Sequence, residues 1–168
     1  MGHCVTIWTR LLLIVIAAAT LSGCAGKFPK YRGPDVTSIQ VHKADRRMYL
    51  LNDDRVLEAY DVALGFAPMG DKKIEGDGKT PEGTYFIDRQ NPESDYYLSV
   101  GISYPNEQDR AEAALLGKPP GGDIFIHGWT SKTIRQRDWT AGCIAVKNHE
   151  MRQIYSMITK GTTVHILP

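Results

Sequence analysis

Two residues in the stretch "IHGWTSKTIRQRDWTAGCIAV", Ile126 to Val146, have side chains that can do covalent chemistry together: His127 and Cys143, 16 positions apart. A cysteine attacks carbonyl carbon as its thiolate, and at an ordinary pKa near 8.5 only a few per cent is ionised at neutral pH. An imidazole close by can take the proton. His127 ends one apolar run, "DIFIHG", and Cys143 opens another, "GCIAV". If both runs are strands and the strands are neighbours, ~4.8 Å apart, side chains at their adjoining ends can meet. The flanking glycines fit this reading. Gly142 lets a carbonyl substrate approach the backbone, and the Gly142 and Cys143 N–H groups are candidate oxyanion donors, each worth ~10²–10³ in rate. Gly128 frees the backbone after His127, whose second ring nitrogen needs an acceptor to fix its tautomer. No Asp or Glu lies in the ten residues that follow it, so a backbone carbonyl near Gly128 is the candidate. The residues alone leave an alternative open, a structural histidine beside an inert buried thiol.

The elements that would carry this pair are mostly strands. A chain of 168 residues suits one domain with a real core, and its 16 glycines and 9 prolines favour turns and strands over a helical bundle. The net charge of +1, without a Lys/Arg block, argues against a nucleic-acid partner. From Val36, "VTSIQVHKADRRMYLLNDDRVLEAYDVALG" alternates apolar and polar residues, with Ile39 and Val41, Tyr49 and Leu51, Leu57, Tyr60 and Val62 as the inward set. Asn52-Asp53-Asp54 is its turn, and the pattern predicts an antiparallel meander. Residues 67–83 read as a long loop leading into a strand at Thr84–Ile87. A short helix is predicted over Glu107–Leu116 after Asn106. A second follows Asn148, its face formed by Met151, Ile154, Tyr155 and Ile158, with Asn148 as cap and Gly161 as stop. "TTVHILP" closes as a strand. No histidine spacing points to a metal site.

The first residues belong to a different kind of segment. Arg10 and the apolar run Leu11–Ala19 have the proportions of a secretory signal core and are too short for the ~20 residues of a spanning helix. "LSGC", Leu21 to Cys24, resembles a bacterial lipobox. Residues 1–23 are then a signal peptide, Cys24 carries lipid, and residues 24–35, with two prolines and two glycines, form a tether to a domain over residues 36–168. With Cys24 lipidated and Cys4 removed, Cys143 has no intramolecular partner, which is unusual in an exported protein.

"HGW…DWTAGCIAVKN" resembles the signature of the YkuD-type L,D-transpeptidases: His-Gly, a gap, Ser/Thr-x-Gly-Cys, an apolar residue and an Asn five after the Cys. These positions are His127, Gly128, Thr140, Gly142, Cys143, Ile144 and Asn148. "KTPEGTYFI" and "SYPNEQD" are similar to two upstream motifs of the family, in the same order. The resemblance implies a mostly β fold, a mixed β-sandwich with two or so short helices, and no metal or organic cofactor. It implies attack of Cys143 on a carbonyl of a peptidoglycan stem peptide, with His127 as base. The thioester passes to an amine, or to water in a hydrolase. Thr140, Trp129 and Asn148 are the candidate substrate contacts, Thr140 being equally suited to bracing its loop and Asn148 to capping a helix. Two positions depart from the pattern. Many members have His and Arg where this chain has Ala141 and Ala145, so the acceptor stays open, as does a non-catalytic wall-binding role. Ala25 after Cys24 resembles the sorting signal of outer-membrane lipoproteins, so the expected place is the cell envelope, facing the periplasm. Oligomeric state is not legible here.

Overall fold

A computed structural model of the chain describes residues 30–129 and 137–168. The signal-like segment, Cys24 and the first half of the tether lie outside the described residues. Residues Tyr31–Pro168 form one compact unit.

Eight strands and two helices are found among the described residues: β1 (Ser38–His42), β2 (Arg47–Asn52), β3 (Arg55–Asp61), β4 (Gly83–Asn91), β5 (Ser99–Ile102), α1 (Glu107–Leu115), β6 (Phe125–Trp129), β7 (Ile144–Lys147), α2 (Asn148–Met157) and β8 (Thr163–Leu167). The mostly β architecture with two short helices is the one expected. Its layers are parts of one sheet, in the order β3-β2-β1-β8-β4-β5-β6-β7. The segment after β3 returns to the far edge, where Ala63 bridges Ala145 and Gly65 bridges Thr140, so the sheet is a near-barrel. This closure removes most of the free edge that eight strands would otherwise expose.

The β1–β2–β3 meander is antiparallel throughout, and Asp53, at φ 52, makes the tight turn predicted at Asn52-Asp53-Asp54. The inward phase of β2 differs from the alternation read off the sequence. Met48 and Leu50 are fully buried and Tyr49 is only half-buried. The register shifts between Leu50 and Leu51, and the bulge turns Leu51 inward as well.

Helix α1 begins at the expected Asn106. Its side chain accepts from the Asp109 N–H at 3.0 Å, while Asp109 takes the Asn106 N–H at 2.8 Å. Helix α2 packs Met151, Ile154 and Met157 onto the sheet at β5–β7. Its cap is not Asn148. The cap position is Lys147, whose N–H is taken by Glu150 at 2.8 Å, and Asn148 is already the first helical residue. A β7 strand running straight into α2 leaves no turn in which Asn148 can act as cap. The helix ends before Ile158, and Gly161, at φ 95, lies in the turn beyond.

Candidate active site

β6 lies between β5 and β7. His127 stands opposite Ser99 on antiparallel β5 and opposite Ala145 on parallel β7. Paired residues project to the same face of a sheet, and a residue two positions earlier on the same strand does too. Cys143, two before Ala145, therefore comes to the face of His127. Both side chains line one cleft of about 290 Å³, together with Tyr96, Ser99, Asp123 and Phe125. The separation of 16 residues in sequence becomes one strand spacing because β6 and β7 are parallel neighbours in the sheet.

His127 is 3% exposed, and its Nδ1 lies 3.0 Å from its neighbour's carbonyl, Gly128 O. A carbonyl oxygen only accepts, so Nδ1 carries the proton and Nε2 keeps its lone pair. Burial pushes the imidazole pKa below its ordinary value, and the bond to Gly128 O opposes this only in part. The ring is thus neutral in the neutral pH range. Tyr96 lies tilted against it at 4.5 Å between centroids, with the edge of Trp139 at 5.8 Å.

Burial likewise pushes the Cys143 thiol up. A hydrogen bond from the Phe125 backbone and the charge of Lys72 oppose the shift, and Asp123 adds to it. The thiol donates to Asp123 O at 3.5 Å. Both shifts favour the uncharged forms, so the resting pair is thiol and neutral imidazole, not thiolate and imidazolium. Such a pair works by moving the proton as the sulfur attacks.

The backbone at the sulfur is held by a close-fitting turn. Gly142 has φ 137, and a Cβ there would stand 2.6 Å from Lys79 O. Its glycine is therefore demanded by the loop packed against it, a reason nearer than the substrate approach expected of it. Thr140 is 3% exposed. Its hydroxyl donates to Cys143 O at 2.7 Å and accepts the Gly142 N–H at 3.2 Å. Two expectations change as a result. The Thr140 hydroxyl is turned back on its own turn, and it already takes up the Gly142 N–H. The Cys143 N–H, which makes no hydrogen bond to a described residue, is the candidate oxyanion donor that remains.

Of the other expected substrate contacts, Trp129 and Asn148 are not in the cleft wall. Trp129 packs on Trp139 at 6.0 Å between centroids. Asn148 sits behind His127, against Gly128, where a Cβ would come within 2.6 Å of its Oδ1 and 3.1 Å of Tyr96 O. That oxygen is buried without a hydrogen bond. Gly128 is thus required by the close approach of α2 and the Tyr96 backbone. Ala145 is buried opposite His127 and Ala141 is exposed, so neither family cation has a counterpart at those positions.

Sequence reasoning missed the wall formed by "NPESDYYLS", which contributes Asn91, Ser94, Asp95, Tyr96 and Ser99 to the cleft. Nothing in the spacing of that segment ties it to His127. Only the antiparallel pairing of β5 with β6 does so. Among the described residues, no group of His, Cys, Asp and Glu is arranged to hold a metal ion.

The architecture is a near-barrel sheet in which a cysteine and a neutral histidine line one cleft. Solved structures share the architecture. The helical cell shape determining protein Pgp2 from Campylobacter jejuni is 32% identical, with a TM-score of 0.62 over 84% of this chain and 51% of that one. The L,D-transpeptidase from Mycobacterium smegmatis shares the fold at 13% identity, with a TM-score of 0.54 over 79% of this chain and 59% of that one. YafK of Escherichia coli (strain K12) is 29% identical over 127 residues, 72% of this chain and 46% of YafK. Residues 37–166 match the YkuD family, the L,D-transpeptidase catalytic domain, and the chain belongs to that family. It spans about half the length of the relatives it matches.

Proposed function

We propose that the domain is an L,D-transpeptidase acting on peptidoglycan stem peptides through a thioester on Cys143. The observation that carries this reading is the shared cleft of Cys143 and His127, with Nδ1 of His127 engaged by Gly128 O and Nε2 left to accept a proton. Family membership supports the substrate class. In the first step, Nε2 takes the thiol proton as sulfur attacks the carbonyl carbon of the stem's third residue. The negative oxygen is held by the Cys143 N–H. Collapse breaks the amide, the terminal D-alanine leaves as its amine with the proton returned by Nε2, and the acyl group stays on sulfur. In the second step an acceptor amine gives up a proton to Nε2 and attacks the thioester. A new amide forms and the thiol is restored.

Water in place of the amine would give a hydrolase. The alanines at 141 and 145 favour keeping this second outcome, since no cation at those positions marks an acceptor site. Mass spectrometry of muropeptides after incubation with the protein separates the two. Cross-linked dimers support transfer, and tripeptide without dimers in the presence of added amine supports hydrolysis. The Cys143→Ala protein is expected to make neither product, and folded Cys143→Ala protein that still does so overturns the thioester mechanism. Lipidation of Cys24, after removal of residues 1–23, would hold the domain in the envelope, at the outer membrane if Ala25 acts as the sorting residue. Cys24→Ala is then expected to release the protein from membranes on fractionation, and unchanged membrane association would reject the anchor.

A further inference from the structure

The turn between β1 and β2, residues 43–46, is absent from the cleft wall, yet it carries two cations that reach into the supports of Cys143. Lys43 is 2% exposed. Its ammonium donates to Gly70 O at 2.6 Å, Thr80 O at 2.8 Å and Glu82 Oε1 at 2.7 Å, so all three protons have acceptors. Those acceptors bracket the loop whose Lys79 O fills the space beside Gly142. Thr80 also accepts the Gly65 N–H at 3.1 Å, which ties the same loop to the strand extension that bridges Thr140.

Arg46, three residues on, has φ 55, a left-handed conformation that costs a non-glycine residue energy and persists only where surroundings hold it. Its Nη1 donates to Lys43 O, and its own carbonyl accepts the Val62 N–H at 2.9 Å. Its fork grips Asp138 from Nε at 3.0 Å and Nη2 at 2.9 Å, with both side chains 13% exposed. Asp138 also takes the Leu64 N–H at 3.0 Å. Asp138 lies two residues before Thr140, and the Trp139 and Thr140 N–H groups both donate to Leu64 O.

We propose that Lys43 and Arg46 form a two-cation clamp that sets the position of Cys143 from behind, Lys43 through the loop at Lys79 and Arg46 through Asp138 and Thr140. They are positioning residues for the reaction proposed above, and the inference rests on that reading. Buried ion pairs contribute little net stability relative to a well-packed apolar residue, because desolvation offsets the attraction. What an apolar residue at 43 cannot supply is direction: three acceptors from three residues held around one ammonium. A turn that directs one buried and one partly buried cation at the two segments meeting at Gly142–Cys143 makes sense as an alignment device.

The experiment measures acylation of Cys143 in the full chain by a carbapenem-type β-lactam, followed by mass spectrometry at several concentrations, so that the maximal rate and the half-saturating concentration are read separately. Thermal melting is recorded alongside. Lys43→Met keeps the stem and removes the charge. Asp138→Asn keeps the shape and removes one partner of the fork, and it serves if Lys43→Met does not fold. Arg47→Met, on the exposed Arg47–Asp61 pair beyond the turn, is the control. The expected result is a fall of ~10–10²-fold in the maximal rate for Lys43→Met and Asp138→Asn, as misplacement of a reacting atom by up to about 1 Å produces. The half-saturating concentration and the control should be unchanged. Partial recovery is expected in Lys43→Arg. A lowered melting temperature with an unchanged maximal rate, measured well below the melt, overturns the clamp. Failure of the unaltered protein to acylate would instead overturn the proposed function, leaving the two failures distinct.

Discussion

The two halves of the reactive pair are held in opposite ways. His127 is fixed locally: its partner is the carbonyl of the next residue, and its place is set by strand pairing on both sides. Cys143 is fixed remotely, by Thr140 across a tight turn, by Lys79 from a loop more than sixty residues earlier, and behind them by Asp138 and Arg46. A base needs only a fixed tautomer and a free nitrogen, which one carbonyl can provide. A nucleophile needs its sulfur, its N–H and the path of the substrate aligned together, which takes several elements.

This contrast can be tested from both ends. Replacing His127 with alanine is expected to lower turnover of muropeptide substrates by about 10²–10⁴, the range for loss of a general base, while leaving the turn at Cys143 intact. An unchanged rate would remove His127 from the mechanism and leave the local half of the comparison empty. Gly142→Ala should cost about 1–3 kcal/mol in backbone strain at φ 137, besides the clash with Lys79 O. Acylation by a β-lactam is expected to fall about 10²-fold with His127 untouched, and a rate near that of the unaltered protein would show that the turn does not set the sulfur.

The smallest effect concerns pH. Burial lowers the His127 pKa and raises that of Cys143, so the active pair is uncharged near neutrality. Protonation of Nε2 blocks the base. Since the imidazole pKa is depressed, kcat/KM should hold as pH falls to about 6.5, the ordinary imidazole value, and decline only below it. A preformed thiolate–imidazolium pair would instead lose activity on the alkaline side as the imidazolium gives up its proton, and an alkaline limb near pH 8–9 would reverse the assignment.

Part of the candidate site was legible from residues. The apolar run holding His127 is β6, which carries on past it to Trp129, and the run starting at Cys143 is, one residue on, β7; the absence of a nearby acid pointed to a backbone carbonyl for the imidazole. The supports were not legible. Thr140 and Asn148 stand at family-like positions, and spacing cannot tell a hydroxyl facing substrate from one turned back on its own turn. Tyr96 and Asp95 were invisible because antiparallel pairing of β5 with β6 joins segments whose separation follows no period.

By itself the sequence determined the alternation that makes strands, the tight turn at Asp53, the capping signal at Asn106, and the residue types a thiol nucleophile requires. These are set over a few neighbouring residues, by backbone sterics and side-chain pattern. Tertiary structure alone decided which face each side chain took, that the Gly142 N–H was spent on Thr140, and that the turn holding Lys43 and Arg46 would brace a cysteine about a hundred residues away. Those outcomes depend on which strands become neighbours when the sheet curls closed, and a linear pattern does not encode that distance.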